Sequence, residues 1–316
     1  MAISEKLSGD TVAVRLGQPY RQSTLGAVGN FFDREDVLGY LLLVPVLVIL
    51  GVFVGYPFVY GVWLAFTDTT IVHQGQFTGL DNLDRLLGDS IFRQAASNSF
   101  IYTGVTTVFK LVLGLAMAAI LNVKFRLNRF VRSATLLPWI IPTVLSTLAW
   151  KWMFDGTFSV INYALAGVGI KGPLWLGSWP WTMISIMIVN VWRGMPFYGV
   201  SFLAGMQTIP QELYEAATID GASAWQRFVR ITLPLLRNVI VVVLLLSTIL
   251  TFADFQIVYA LTGGGPANQT HLFATYSYQV GLRGLEIGVG AAISLFMFPI
   301  LAVIVFLTLW TLRKSE

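Results

Sequence analysis

The chain has 316 residues, 56% of them hydrophobic and only 11% charged, with a mean hydropathy of +0.72; this excludes a water-soluble domain and indicates an integral membrane protein. It has no cysteine, so disulfides and thiolate metal sites are closed to it. Its net charge of +4 is accounted for by loop asymmetry and calls for no nucleic-acid partner.

Residues 1–36 are polar, rich in Gly, Ser and Gln, and lack the apolar run of a signal peptide. The first apolar stretch is therefore expected to stay as an uncleaved anchor. A spanning helix needs roughly 20 mostly apolar residues, and residues 38–66, 100–121, 133–153, 182–206, 238–261 and 287–312 each provide them. Transmembrane β-strands would instead be segments of about 10 residues with alternating polarity. The expected fold class is an all-α membrane protein with six transmembrane helices over residues 37–316, behind the polar 1–36 segment.

With the N-terminus inside, the inner segments hold thirteen Lys and Arg, Arg126, Arg129, Arg227 and Arg230 among them, and the outer ones hold five: Arg85, Arg93, Lys151, Lys171 and Arg283. The positive-inside rule then places both termini and residues 207–237 in the cytoplasm. Trp150, Trp152, Trp175, Trp179 and Trp181 fall where an outer aromatic belt belongs.

Three ionisable residues lie inside spans: Lys110, Arg193 and Asp254. Charge in a bilayer is costly, so each is a candidate for function. Lys110 has a long stem that can snorkel towards an interface or a water-filled cavity. Arg193 admits two readings: it meets an anionic group through paired donors, or it and Asp254 neutralise each other across two helices. His73 and His271 fall in outer loops without a second ligand at helical spacing, and read as solvated side chains rather than a metal site.

The cytoplasmic stretch 207–237 is punctuated like a helix-turn-helix. Thr208-Ile-Pro-Gln211 has the form of a capping box, so a helix is expected from there through Glu215, Ala216 and Ala217 to Asp220. Gly221 can take the left-handed conformation that ends it. Ser223-Ala-Trp-Gln226 spells a second box, and Pro234 marks the entry to the fifth span. Small Ala216 and Ala217 let a partner approach closely, and Glu215 offers it a carboxylate. The residues alone fit an amphipathic loop on the headgroups equally well. Gly263-Gly264-Gly265-Pro266 reads as an outer turn; it is no phosphate loop, because Gly-Lys never occurs in the chain. Any ATP hydrolysis must come from another subunit.

Glu-Ala-Ala at 215–217, Asp-Gly-Ala at 220–222 and Leu-Pro at 233–234 have the order and spacing of the EAA loop of ATP-binding-cassette importers. Leu-Pro-Trp-Ile-Ile-Pro at 137–142, Asn-Val-Trp-Arg-Gly-Met-Pro-Phe at 190–197, Ala-Gly-Met-Gln-Thr-Ile-Pro at 204–210 and Tyr-Ala-Leu-Thr-Gly-Gly-Gly-Pro at 259–266 extend the likeness. From residue 38 onward the chain resembles the carbohydrate-uptake, maltose-type permease subunits.

The resemblance implies a type I importer permease fold, without the further N-terminal spans and large outer domain of the maltose-type subunit itself. It implies half of a heterodimer with a second homologous permease in a bacterial inner membrane. Two ATPase subunits, which bind ATP and Mg, would dock on 207–237 through Glu215, Ala216, Ala217, Asp220 and Gly221. An extracytoplasmic solute-binding protein would deliver a sugar. The chain itself would be no enzyme and hold no cofactor. Substrate contacts carried over from the maltose type fall on Trp139, Asn190, Trp192, Arg193 and Gly194, and on Ser247, Leu250, Thr251 and Asp254. That pocket is neutral where this chain has Arg193 and Asp254, so the substrate need not be maltose: the expectation is a di- or oligosaccharide or a sugar derivative, anionic (sulfonated, phosphorylated or uronic) if Arg193 meets the substrate and not Asp254. A glycerol phosphate or phosphodiester is the alternative. A stand-alone secondary transporter would leave the EAA loop unexplained, and no clear internal repeat supports one.

Overall fold

A computed structural model describes residues 35–123 and 126–313. All but the last two positions of the polar 1–36 segment thus lie outside the described residues. The elements are helical throughout, apart from one isolated antiparallel bridge, Thr67 to Phe77, among the described residues.

The chain divides into two compact units, one ending at Val59 and the other starting at Tyr60. The first contains helix α1 (Glu35–Leu50), a π-helical turn (Gly51–Gly55) and the opening of α2 (Tyr56–Ala65). Its side chains from Tyr40 to Val59 are exposed almost without exception, as an apolar helix facing lipid requires.

The second unit runs through α3 (Asp81–Gly88), α4 (Ser90–Asn122), α5 (Asn128–Thr135), α6 (Leu137–Ile140), α7 (Thr143–Met153) and α8 (Val160–Gly167). There follow α9 (Trp181–Gln207), α10 (Gln211–Ile219), α11 (Ala224–Arg227), α12 (Leu233–Leu235) and α13 (Arg237–Phe252). Helices α14 (Gln256–Leu261), α15 (Phe273–Tyr278) and α16 (Ile287–Arg313) complete it.

Among the described residues three helical stretches are long and apolar enough to cross a bilayer: Gly39–Leu64, Ser90–Asn122 and Ile287–Arg313. Two bent helix pairs are apolar and long enough only when taken together, α5–α6 with α7 at 92° and α11–α12 with α13 at 67°. The first break has a plain cause. Pro142 has no N–H to donate, and Ile141 before it is extended at φ −63°, ψ 133°. Helix α9, with 27 residues, is about 40 Å long at 1.5 Å per residue, long enough to cross, but it carries more polar residues. Two expected boundaries move. The second span begins at Ser90 rather than near residue 100, because Asp89 caps it by accepting from the Ile91 N–H at 2.8 Å. The fifth ends at Phe252, not at 261.

Helices α4 and α9 make the most extensive pair in the fold. They approach closely because Gly114 sits against Tyr198 and Gly199, where a Cβ would meet the Tyr198 Cβ at 2.4 Å. Around this pair lie three apolar clusters. One gathers Leu86, Phe92, Phe252, Phe273 and Ile293, a second Tyr102, Phe154, Trp175, Ile186 and Val258, and a third Met117, Leu121, Phe202, Met206 and Leu236. Trp175 therefore belongs to the core and not to an interfacial belt: its indole N–H donates to Asn162 Oδ1 at 2.7 Å and its ring lies 5.4 Å from that of Phe154. Trp152, by contrast, is 83% exposed.

His271 is likewise buried, not solvated. Its ring lies under Gly264, whose φ of +92° and missing side chain make room for it, and its Nδ1 is 3.2 Å from the Thr275 hydroxyl. Asn98 on α4 ties down the same loop by donating to the carbonyls of Gln269 at 2.8 Å and His271 at 3.1 Å.

Candidate functional site

Three helical faces converge on one cavity. On α9, Asn190, Arg193, Gly194 and Phe197 recur at the i, i+3, i+4, i+7 spacing that lines one side of a helix. Ser247, Leu250 and Thr251 on α13, with Asp254 just beyond it, repeat that spacing. On α4, Tyr102, Thr106 and Lys110 stack one turn apart and are all buried. The cavity between them has a volume of about 600 Å³, within the range of small-molecule sites.

Of the nine residues carried over at the sequence level, eight line it: Trp139, Asn190, Arg193 and Gly194, with Ser247, Leu250, Thr251 and Asp254. Trp139 on α6 lies nearly parallel to Phe197 with ring centroids 6.3 Å apart, forming an aromatic wall. The ninth, Trp192, lies off the cavity and packs edge-on against Trp150 at 5.5 Å.

The break after α13 shapes the polar side of the cavity. Because the helix stops at Phe252, Asp254 sits in an irregular step ahead of α14, its Oδ1 accepting from the Ile257 N–H at 3.3 Å. Its Oδ2 accepts from the Tyr102 hydroxyl at 2.6 Å and from Asn190 Nδ2 at 3.1 Å. Both carboxylate oxygens are thus engaged. The expected pairing of Asp254 with Arg193 is not formed: among the described residues the ion pair within 4.0 Å is Arg85 with Glu286. Arg193 Nε is buried without a hydrogen-bond partner, and so is Asn190 Oδ1.

Lys110 does not snorkel to an interface. It is only 2% exposed, lines the cavity, and donates from Nζ to the Thr251 hydroxyl at 2.7 Å. Nζ also stands 5.9 Å from the centre of the Tyr198 ring, within cation–π range. Gly194 makes this path possible, since a Cβ there would lie 2.5 Å from Lys110 Cδ. The sequence marks Lys110 as an intramembrane charge able to reach a water-filled cavity, but gives it no place among the substrate contacts, and Tyr102 is not singled out at all. The i, i+4, i+8 spacing of Tyr102, Thr106 and Lys110 was the available signal.

The 207–237 stretch forms its second expected cap and not its first. Ser223 and Gln226 close a reciprocal box, at 2.7 Å from the Ser223 N–H to the Gln226 side chain and 3.2 Å in return. Thr208 instead turns back on α9, donating to the Gly205 carbonyl at 2.8 Å, so α10 starts at Gln211 without a side-chain cap. Gly221 has φ +77° and ends the turn after α10 as expected. Arg227 donates to the Thr218 hydroxyl and Tyr214 bonds Thr232 at 2.9 Å, which fastens α10 to the following segment. Glu215, Ala216, Asp220 and Gly221 are exposed and Ala217 half-buried. Beside them stand Ile219 at 87% and Trp225 at 72% exposure, an apolar surface that no other described residue covers.

Over residues 110–314 the chain matches the family of binding-protein-dependent transport system inner membrane components. It belongs to that family. The permease is 37% identical over 288 residues to the trehalose/maltose transport system permease protein MalF of Thermococcus litoralis, covering 89% of this chain and 96% of that one. It is 34% identical over 274 residues to the sulfoquinovosyl glycerol transport system permease protein SmoG of Agrobacterium fabrum, covering 86% and 89%. A solved bacterial ABC transporter involved in the import of the acidic polysaccharide alginate shares the fold, with a TM-score of 0.79 at 24% identity over 91% of this chain and 99% of that one. The permease is therefore a membrane-embedded subunit of a sugar-type ABC importer, of the multi-pass inner-membrane class, and not itself an enzyme.

Proposed function

We propose that the permease forms half of the translocation pathway for a sugar bearing an anionic group, and that its cavity holds that sugar in transit. The observation that carries this reading is the guanidinium of Arg193, which lines the cavity without an ion pair and with its Nε unsatisfied. A guanidinium presents paired donors to a sulfonate, carboxylate or phosphate. Trp139 and Phe197 offer flat faces for the apolar side of a pyranose, and Asn190, Ser247 and Thr251 exchange hydrogen bonds with its hydroxyls.

Six spans with both termini in the cytoplasm put residues 207–237 on the ATPase side. Glu215, Ala216, Ala217, Asp220 and Gly221 form the contact through which two ATPase subunits, loaded with ATP and Mg, move the permease. A second, homologous permease completes the cavity, and an extracytoplasmic binding protein delivers the sugar. ATP binding opens the cavity outward; hydrolysis returns it inward.

The test is uptake of a neutral and an anionic disaccharide by cells carrying Arg193→Gln. The anionic sugar is expected to lose transport about tenfold or more, the size of one charged hydrogen bond, while the neutral one changes little. Equal loss for both refutes the anion reading.

A further inference from the structure

Resting on that reading, we infer that Lys110 is a second cation of the same site and that Asp254 is its built-in counter-charge, so that this chain's side of the cavity carries one surplus positive charge and favours a substrate group carrying one negative charge. Charges that face one cavity act together on whatever enters it. Lys110, Arg193 and Asp254 line one cavity, giving two cations and one anion, a surplus of one positive charge. Among the described residues no other ionisable side chain lines it.

Geometry assigns the three different parts. Asp254 has both oxygens engaged by protein donors: the Tyr102 hydroxyl, Asn190 Nδ2 and the Ile257 N–H. An ionised carboxylate can accept all three of these bonds. Held so, Asp254 acts as a fixed charge rather than as a ligand for sugar hydroxyls. Lys110 uses one of its three ammonium protons on Thr251, and Gly194 keeps its stem in place. The remaining donors, together with the unpaired Arg193, form a two-cation receptor. Asn190, 8% exposed and with Oδ1 unpartnered, adds a buried acceptor for a neighbouring hydroxyl.

A sulfonate or carboxylate bears one negative charge and balances the surplus. A phosphate monoester, whose second proton leaves at a pKa of about 6, overshoots at pH 7, and a neutral sugar leaves the surplus uncompensated. Sulfonated or uronic sugars are thus favoured over sugar phosphates and glycerol phosphate.

The experiment measures binding of maltose, a uronic-acid disaccharide and a maltose phosphate monoester at pH 7. It uses the permease complex purified from its own membrane, read by tryptophan fluorescence, and variants are compared only where the complex copurifies intact. The uronic sugar is expected to bind best to the wild type. Asp254→Asn, which preserves shape and adds one positive charge, should raise the phosphate-to-uronate ratio roughly tenfold. Lys110→Gln should lower the uronate-to-maltose ratio by a similar factor, and Lys110→Arg should restore it. If Arg193→Gln abolishes the uronate preference while the Lys110 and Asp254 variants leave all ratios unchanged, the charge count is overturned and the anion reading stands. If maltose binds as well as the uronic sugar, or no probe binds, and Arg193→Gln has no effect, both fall.

Discussion

Gly114→Ala tests whether the cavity depends on the close approach of α4 and α9. A Cβ at Gly114 would lie 2.4 Å from Tyr198 Cβ, 3.2 Å from the Gly199 nitrogen and 3.3 Å from the Tyr198 carbonyl carbon. Carbon atoms pack best at about 3.5–4.0 Å, so the nearest contact is short by roughly an ångström. None of the three atoms can be moved by rotating a side chain, so the two helices must separate. Overpacking of this kind costs about 1–3 kcal/mol. The gain in helix propensity from Gly to Ala, up to about 1 kcal/mol, offsets part of it. Gly104→Ala on the same helix is the control, because nothing lies within 4 Å of a Cβ there and it collects only the gain. The two variants should therefore differ by about 1–3 kcal/mol, or several degrees in the thermal midpoint of the purified permease complex at roughly 2–4 °C per kcal/mol. Lys110 lies one turn from Gly114, and Gly194 one turn from Tyr198, so sugar binding should weaken in Gly114→Ala as well. Equal midpoints for the two variants, with binding unchanged, would refute the reasoning.

Gly221→Val places a β-branched residue at φ +77°, a strain on the order of 1–3 kcal/mol, and Glu215→Lys reverses an exposed charge on α10. Each should lower ATP-driven uptake while the permease still reaches the membrane; full uptake with normal assembly contradicts a coupling role. Asn98→Ala removes the donors to the Gln269 and His271 carbonyls and leaves buried acceptors unmet, at about 1–3 kcal/mol. Hydrogen exchange should rise in residues 262–272, and unaltered protection there counts against the tie. Burial holds the His271 imidazole down to about 4, from an ordinary 6.5. The unfolded chain takes up this proton below pH 6.5 and the folded one does not until about pH 4, so this contribution to stability is present above pH 6.5 and is lost as pH falls through that window. His271→Gln should flatten the decline of thermal midpoint between pH 6.5 and 4, and an identical slope in the variant removes His271 as its source.

Much of the architecture was legible because it is written in local patterns. Long apolar runs give spans whatever they pack against. The Gly221 turn and the Ser223–Gln226 box are satisfied within a few residues, so no distant contact was needed to foresee them. Thr208-Ile-Pro-Gln211 spells the same pattern, yet the Thr208 hydroxyl turns to the Gly205 carbonyl at the end of α9 instead. Local grammar proposes a cap, and the competition for acceptors decides whether it forms.

The sequence by itself determined the membrane class, the family and the helical faces that carry Asn190, Arg193 and Gly194, and Ser247, Leu250 and Thr251, since spacing along one helix fixes which side chains share a face. It could not decide which faces meet. That Trp175 and His271 are core, that Lys110 crosses over Gly194 to Thr251, and that Asp254 is held by Tyr102 from a helix 152 residues away depend on packing among three helices and on the step after Phe252. Hydrophobicity assigns a residue to the membrane, whereas the partner that a buried charge finds there is set by contacts between segments far apart in the chain.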